Sequence, residues 1–304
     1  MRQRLPDPLF SSILPFMAFL LFCQGLGLGC AGKNYSILHR PVPLSGIVRE
    51  SAIFDQGELR IHWVAYYPER PGRLPAVLVH PDAQGVAEDM EGVCFGLARA
   101  GYFAAAVDYE RVGELKRGSP FTCCKDFEEA TASLIHLLSN PRVDQERVGL
   151  LGFSKGGTHS LLVAAGKSGI KAVVAYYPLS DFEEWLDPQG YSFFTQFRIR
   201  RLRREVMRRE GTTRWEDVLP EVQAASPIHY VDSIRAPVLL IHGERDRTVS
   251  LGQSRRFCEA LRAAGGSCEL LVVPGAGHVF NFRNREKAEL AWERTLEFLR
   301  FHLK

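Results

Sequence analysis

Short runs of consecutive apolar residues alternate along this chain with longer stretches in which apolar positions recur every three or four residues. The first pattern is that of a strand buried on both faces, the second that of an amphipathic helix. Residues 76–80 (AVLVH), 147–153 (RVGLLGF), 171–176 (KAVVAY), 237–242 (PVLLIH) and 269–273 (ELLVV) are of the strand type. Residues 59–67 alternate and are rich in aromatic and β-branched side chains, which predicts an earlier strand, and residues 103–107 predict another. Helices are expected over 88–100, ended by Gly101; over 126–138, stopped by Asn140-Pro141; and over 155–165, 251–264 and 285–302. Strand and helix in alternation specify an α/β chain: a mostly parallel central sheet with helices on both faces.

One interval breaks the rhythm. From the strand ending near Tyr177 to the one starting at Pro237 the chain is far longer than the roughly 2–6 residues that such a connection takes beyond its helix. A short helical cap insertion is therefore predicted over about residues 181–233. Inside it, residues 198–214 carry eight arginines against Glu205 and Glu210, with Ile199, Leu202 and Val206 at helical spacing. This reads first as the solvated face of a helix laid over a site; as a functional feature it would favour anionic lipid surfaces or acidic substrates.

Composition adds bounds to this picture. With 304 residues, 46% hydrophobic and 24% charged, the chain can bury one sizeable core, assigned here to residues 49–304. A net charge of +3 gives no reason to expect a nucleic acid as partner. At the N-terminus, Arg2 and Arg4 precede an almost wholly apolar stretch over 9–22 and small residues over 25–29, the layout of an export segment. Residues 1–30 are thus expected to be a signal or membrane anchor, with 31–48 as a tether, which places the chain outside the cytoplasm and allows association with a membrane surface. Cys30, between Gly29 and Ala31, resembles the lipid-modified cysteine of a bacterial lipoprotein; a soluble protein cut nearby and an uncleaved span are the competing readings. Of the seven cysteines, Cys258 and Cys268 could pair in an oxidising compartment, one on a helix and the other on the strand that it precedes. The adjacent Cys123 and Cys124 are not spaced as a zinc site, and neither a metal nor another cofactor is expected.

The chemistry is carried by Gly152-Phe153-Ser154-Lys155-Gly156-Gly157, which falls between a buried strand and a helix. That is where a nucleophile elbow sits, and it needs glycine two places either side of the serine because side chains there would meet neighbouring backbone. A serine hydroxyl attacks only when a base takes its proton, and the base needs a carboxylate to fix its tautomer. In the expected order, Asp246 follows the strand 237–242, and His278 lies in the glycine-rich run Pro274-Gly275-Ala276-Gly277-His278 past the next one. Glu244 is the rival acid. The oxyanion hole calls for the backbone N–H of Lys155 and for one from the loop after the strand 76–80; Pro81 has none to give, which leaves Asp82. His80, His159 and His242 read as packed or hydrogen-bonding residues rather than as second bases.

The stretch Ala225-Ser226-Pro227-Ile228-His229-Tyr230, the run Pro237 through Gly243, Asp246, Val249 and Pro274 through His278 together resemble the catalytic domain of the dienelactone hydrolase and prolyl oligopeptidase group. The resemblance implies an α/β-hydrolase fold, a triad of Ser154, Asp246 and His278, and cleavage of ester, lactone or acyl-peptide bonds in a small-molecule or acyl-peptide substrate. It departs in three places. Serine stands where dienelactone hydrolases usually carry cysteine, the segment ahead of the domain is too short for a β-propeller, and His80-Pro81-Asp82 replaces a His-Gly-Gly motif. Without a propeller to filter by size, small esters are favoured. Two rivals stand beside this reading: a thioester hydrolase or acyltransferase, since Ser-Lys-Gly is similar to the motif of acyl-CoA thioesterases, and a non-catalytic scaffold of the same fold.

Overall fold

The structure, a computed structural model, describes residues 46–56, 59–83, 85–111, 126–190 and 193–304. The export segment, Cys30, nearly all of the tether, Cys123 and Cys124 lie outside the described residues.

Strand and helix alternate as the apolar pattern requires. The strands are β1 (Ile47–Gln56), β2 (Leu59–Pro68), β3 (Leu74–His80), β4 (Phe103–Arg111), β5 (Val143–Phe153), β6 (Ile170–Tyr176), β7 (Val238–Gly243) and β8 (Cys268–Val273). The helices are α1 (Glu91–Arg99), α2 (Asp126–Ser139), α3 (Lys155–Gly166), α4 (Phe182–Trp185), α5 (Phe193–Arg209), α6 (Leu219–Ala224), α7 (Leu251–Ala263) and α8 (Arg285–His302). One sheet takes the order β1-β2-β4-β3-β5-β6-β7-β8, antiparallel through β1, β2 and β4 and parallel from β4 to β8. Two expectations are corrected. Ile47 and Val48, assigned to the tether, open β1 instead, because the strand pairs with β2 along its whole length. The helix expected over 88–100 is a short 3-10 turn, Ala87–Met90, followed by α1.

The core sits where the apolar runs are longest. Every residue of β7 is buried, as are the last six of β5 and the last five of β6. α3 is buried from Gly156 to Ala164, so it lies under the protein rather than on its surface. α8 crosses β5 at Gly149, where an added Cβ would press on Leu299 and Leu303, and its Thr295 hydroxyl lies 2.7 Å from the Tyr176 hydroxyl. Cys258 of α7 and Cys268 of β8 form a disulfide, as their placement on helix and following strand allowed.

Between β6 and β7 the insertion folds around an apolar cluster of its own. Leu186, Leu202, Val218 and Val222 are buried there, with Phe182, Trp185 and Trp215 packed on them. Ile199 is buried too, while Arg200, Arg201, Arg204 and Arg208 of α5 are exposed. Arg203 departs from the solvated-face reading: its guanidinium lies 3.9 Å from the centroid of the Trp215 ring, a cation–π contact. Two polar anchors fasten the insertion. The Trp185 indole N–H donates to the carbonyl of Thr248, and the buried Gln253 amide oxygen accepts the backbone N–H groups of Ser180 and Asp181. Among the described residues no helix is long and apolar enough to cross a membrane.

Candidate active site

Parallel strands deliver the loops after their C-terminal ends to one edge of a sheet, and ligands of open α/β sheets bind there. The loops after β3, β5, β7 and β8 carry Asp82, Ser154, Asp246 and His278 respectively.

Ser154 follows β5 directly and stands just ahead of α3. Its backbone is held at φ 52°, ψ −117°, a conformation costly for a residue with a Cβ, and strain of this kind persists only where surrounding structure imposes it. Two close approaches impose it here. An added Cβ on Gly152 would overlap the backbone of Gly156 and Gly157, and one on Gly156 would overlap the carbonyls of His80 and Pro81. The Ser154 N–H donates to the Tyr176 carbonyl at 2.9 Å, and the Ser154 carbonyl accepts the first helical bond, from Thr158. The hydroxyl is left at the N-terminus of α3, whose dipole favours developing negative charge.

The three expected side chains meet. His278 Nε2 lies 3.1 Å from Ser154 Oγ, and His278 Nδ1 lies 2.6 Å from Asp246 Oδ2. The carboxylate cannot donate when ionised, so Nδ1 carries the proton and Nε2 is left to accept the serine hydroxyl's. Asp246 is buried. Burial alone would raise its carboxyl, but hydrogen bonds from His242 and His278 outweigh that and hold it well below the usual carboxylate range. Its other oxygen, Oδ1, accepts the N–H groups of Thr248 at 2.8 Å and Val249 at 2.9 Å. Glu244 does not join this chain: its Oε2 accepts the Gly275 N–H.

Lys155 is the first residue of α3, so its N–H points out of the helix end beside Ser154. The loop of Asp82 packs on the same elbow through His80 and Pro81, and it turns tightly, with the Gly85 N–H donating to the Asp82 carbonyl at 3.1 Å. His80 itself is fully buried with Nδ1 2.9 Å from Ser160 Oγ; burial, with His159 nearby, pushes its imidazole down to about 3, which suits a neutral hydrogen-bonding residue.

Two further residues support the triad, and of these the sequence singled out His242 alone, as a hydrogen-bonding residue. His242 Nε2 lies 3.0 Å from the Val249 carbonyl, which can only accept, so this nitrogen holds a proton that also faces Asp246 Oδ2 at 3.4 Å. Tyr177, one residue past β6, packs its ring 4.6 Å from that of His278. Only its place at the end of a strand, before Pro178, hinted at a turn toward the site. Among the described residues no group of three or more His, Cys, Asp or Glu side chains is arranged to hold a metal ion.

Comparison with known proteins agrees with this fold. A profile described as the dienelactone hydrolase family matches residues 61–303. A Bradyrhizobium protein named "Probable 2-oxo-3-(5-oxofuran-2-ylidene)propanoate lactonase" is 28% identical over 262 residues, covering 81% of this chain and 91% of its own length. "Uncharacterized peptidase YtmA" of Bacillus subtilis is 30% identical over 210 residues, 67% of this chain and 76% of that protein. Among solved structures, acetyl xylan esterase 1 from Thermoanaerobacterium has a TM-score of 0.63 at 21% identity, with 86% of each chain covered. Pyrococcus horikoshii acylaminoacyl peptidase has a TM-score of 0.67 at 20% identity, covering 86% of this chain and 43% of that one. These two likenesses are of fold.

Proposed function

The chain belongs to the dienelactone hydrolase family, and from that premise we propose that it is a serine hydrolase cleaving carboxylic ester or lactone bonds through an acyl-enzyme on Ser154. The observation that carries this reading is the unbroken series Ser154 Oγ, His278 Nε2, His278 Nδ1, Asp246 Oδ2, joined at 3.1 and 2.6 Å.

In the proposed cycle the Ser154 oxygen attacks the carbonyl carbon as its proton passes to His278 Nε2. Asp246 stabilises the imidazolium so formed and keeps its orientation. Charge building on the carbonyl oxygen meets the N–H groups of Lys155 and Asp82 at the end of α3. Collapse of the tetrahedral intermediate breaks the bond to the leaving alcohol, which takes the proton from His278. Water then attacks the acyl-enzyme, its proton going to the same nitrogen, and Ser154 leaves with that proton as the acid is released. A lactone differs only in that alcohol and acid remain on one molecule. Serine in place of the cysteine usual in the family makes the nucleophile dependent on this base, since a hydroxyl has no appreciable ionised fraction of its own near neutrality.

We also propose that the enzyme works outside the cytoplasm. The basic and apolar layout of the N-terminal segment supports this, and so does the Cys258–Cys268 disulfide, a bond that persists in oxidising compartments.

A panel of p-nitrophenyl acyl esters, a lactone, an acyl-peptide anilide and acyl-coenzyme A tests the reaction class. Turnover of the esters or lactone is expected. Turnover confined to acyl-coenzyme A would move the assignment to thioesters, and turnover of the anilide alone would move it to peptide bonds.

A further inference from the structure

Among the described residues, three that are not glycine have a backbone φ in the left-handed region: Ser154 at 52°, Tyr177 at 40° and Val279 at 52°. The elbow accounts for the first. The other two are a bulky aromatic and a β-branched residue, the types least tolerant of such a backbone, and both adjoin His278, Tyr177 through its ring and Val279 as the next residue in the chain. Strain gathered in this way at a site has to be held in place by contacts that would be lost if it relaxed.

Those contacts converge on Tyr177. Its N–H donates to the Ile241 carbonyl at 2.7 Å, which fixes the residue to the end of β7. Its ring is fully buried and lies against the imidazole of His278, centroids 4.6 Å apart and planes 58° apart. Its hydroxyl donates to Asn281 Oδ1 at 2.7 Å, and Asn281 is itself nearly buried. Between these two points the chain reverses at Val279. That reversal sends the buried Phe280 onto the Tyr177 ring, with centroids 6.0 Å apart, and lets the Asn284 N–H reach the Phe280 carbonyl at 2.8 Å. Asp246 pulls on one edge of the imidazole; Tyr177 closes the loop from the side of the sheet.

We propose that Tyr177 is a positioning residue for the general base: its ring and its hydrogen bond to Asn281 keep the strained turn at Val279 closed, so that His278 Nε2 stays within reach of Ser154 Oγ. This rests on the reading of His278 as the base. Tyr177 touches no reacting atom, so its loss should act on the rate of the chemical steps and leave substrate binding alone.

The test compares wild type with Tyr177→Phe, Asn281→Ala and the double variant on p-nitrophenyl acetate, with kcat and KM determined separately and a thermal melt for each. Tyr177→Phe keeps the ring and removes only the hydroxyl. Each single variant should lower kcat on the order of tenfold or more with KM changed less than about twofold, since small displacements of a catalytic group cost rate steeply. The double variant should be no slower than the worse single one, because both remove the same bond. An active wild type whose single variants keep kcat within twofold would overturn the proposal, as would losses that multiply or that fall on KM. If Tyr177→Phe melts below the assay temperature, Asn281→Ala decides alone by the same criteria. A wild type silent on every ester and lactone overturns the functional reading, and this one with it.

Discussion

Asp246 and Glu244 lie two residues apart after the same strand, yet their surroundings give them different work. Asp246 receives two backbone N–H groups on one oxygen and the His278 imidazole on the other, and His242 stands 3.4 Å from that second oxygen. Such a carboxylate can neither rotate nor take up a proton without breaking several bonds. Glu244 accepts one exposed backbone N–H from Gly275. Asp246→Asn should therefore lower kcat on the order of 10⁴, because an amide facing Nδ1 favours the imidazole tautomer that cannot accept the serine proton. Glu244→Gln should stay within a few fold. Steady-state kinetics of the two variants side by side checks this, and the reverse ranking would move the acid to Glu244. At this scale the triad was legible because each member is a reactive residue just past an apolar run, with Ser154 and His278 set among glycines. Tyr177 was not, and His242 was legible only as a hydrogen-bonding residue, since an aromatic or a histidine at the end of a strand looks the same whether it packs in a core or props a base. The role of Tyr177 appears only when its contact to His278, 101 residues distant in sequence, is closed by the fold, and that of His242 only when its ring turns to the Asp246 carboxylate.

At the scale of elements, the joint between β5 and α3 governs the site. Gly156 is required there by contact rather than by its own φ, because the carbonyls of His80 and Pro81 occupy the space a Cβ would need. Gly156→Ala should push the loop after β3 away from the elbow. We expect a loss of about 2 kcal/mol or more from overpacking, with a fall in kcat because the displaced loop carries Asp82. Thermal melts and ester turnover on the same preparation would show both; an unchanged melting temperature would mean that the two loops do not press together as described. The buried parallel strands could be read from sequence because each is a continuous apolar run. β1 could not: Ile47–Gln56 mixes Arg49, Glu50, Ser51 and Asp55 among its apolar residues, as an edge strand with one exposed side does. Its polar side chains find partners on both α1 and β2, Arg49 pairing with Glu91 of the helix at 2.5 Å and Glu50 accepting the Tyr67 hydroxyl of the strand at 3.2 Å.

For the whole molecule, the sheet order sets which loops can cooperate. β5 lies between β3 and β6, and β7 and β8 follow at one edge, so the loops of Asp82, Ser154, Tyr177, Asp246 and His278 gather along one rim from five neighbouring strands. The insertion between β6 and β7 is tied to this rim by the Trp185 bond to Thr248, two residues past Asp246. Its presence was legible as an interval too long for a loop. Its attachment was not, because the hydrogen bonds of one indole and one buried amide leave no trace in hydrophobic periodicity. The central claim is that Ser154 is the group to which substrate becomes bonded, made reactive by His278. A fluorophosphonate forms a stable covalent adduct with an activated serine, so labelling of wild type and of His278→Ala, followed by peptide mass mapping, tests that claim most directly. One adduct on the peptide containing Ser154, absent or strongly slowed in the variant, is predicted; an adduct on another residue, or equal labelling without the imidazole, would contradict it.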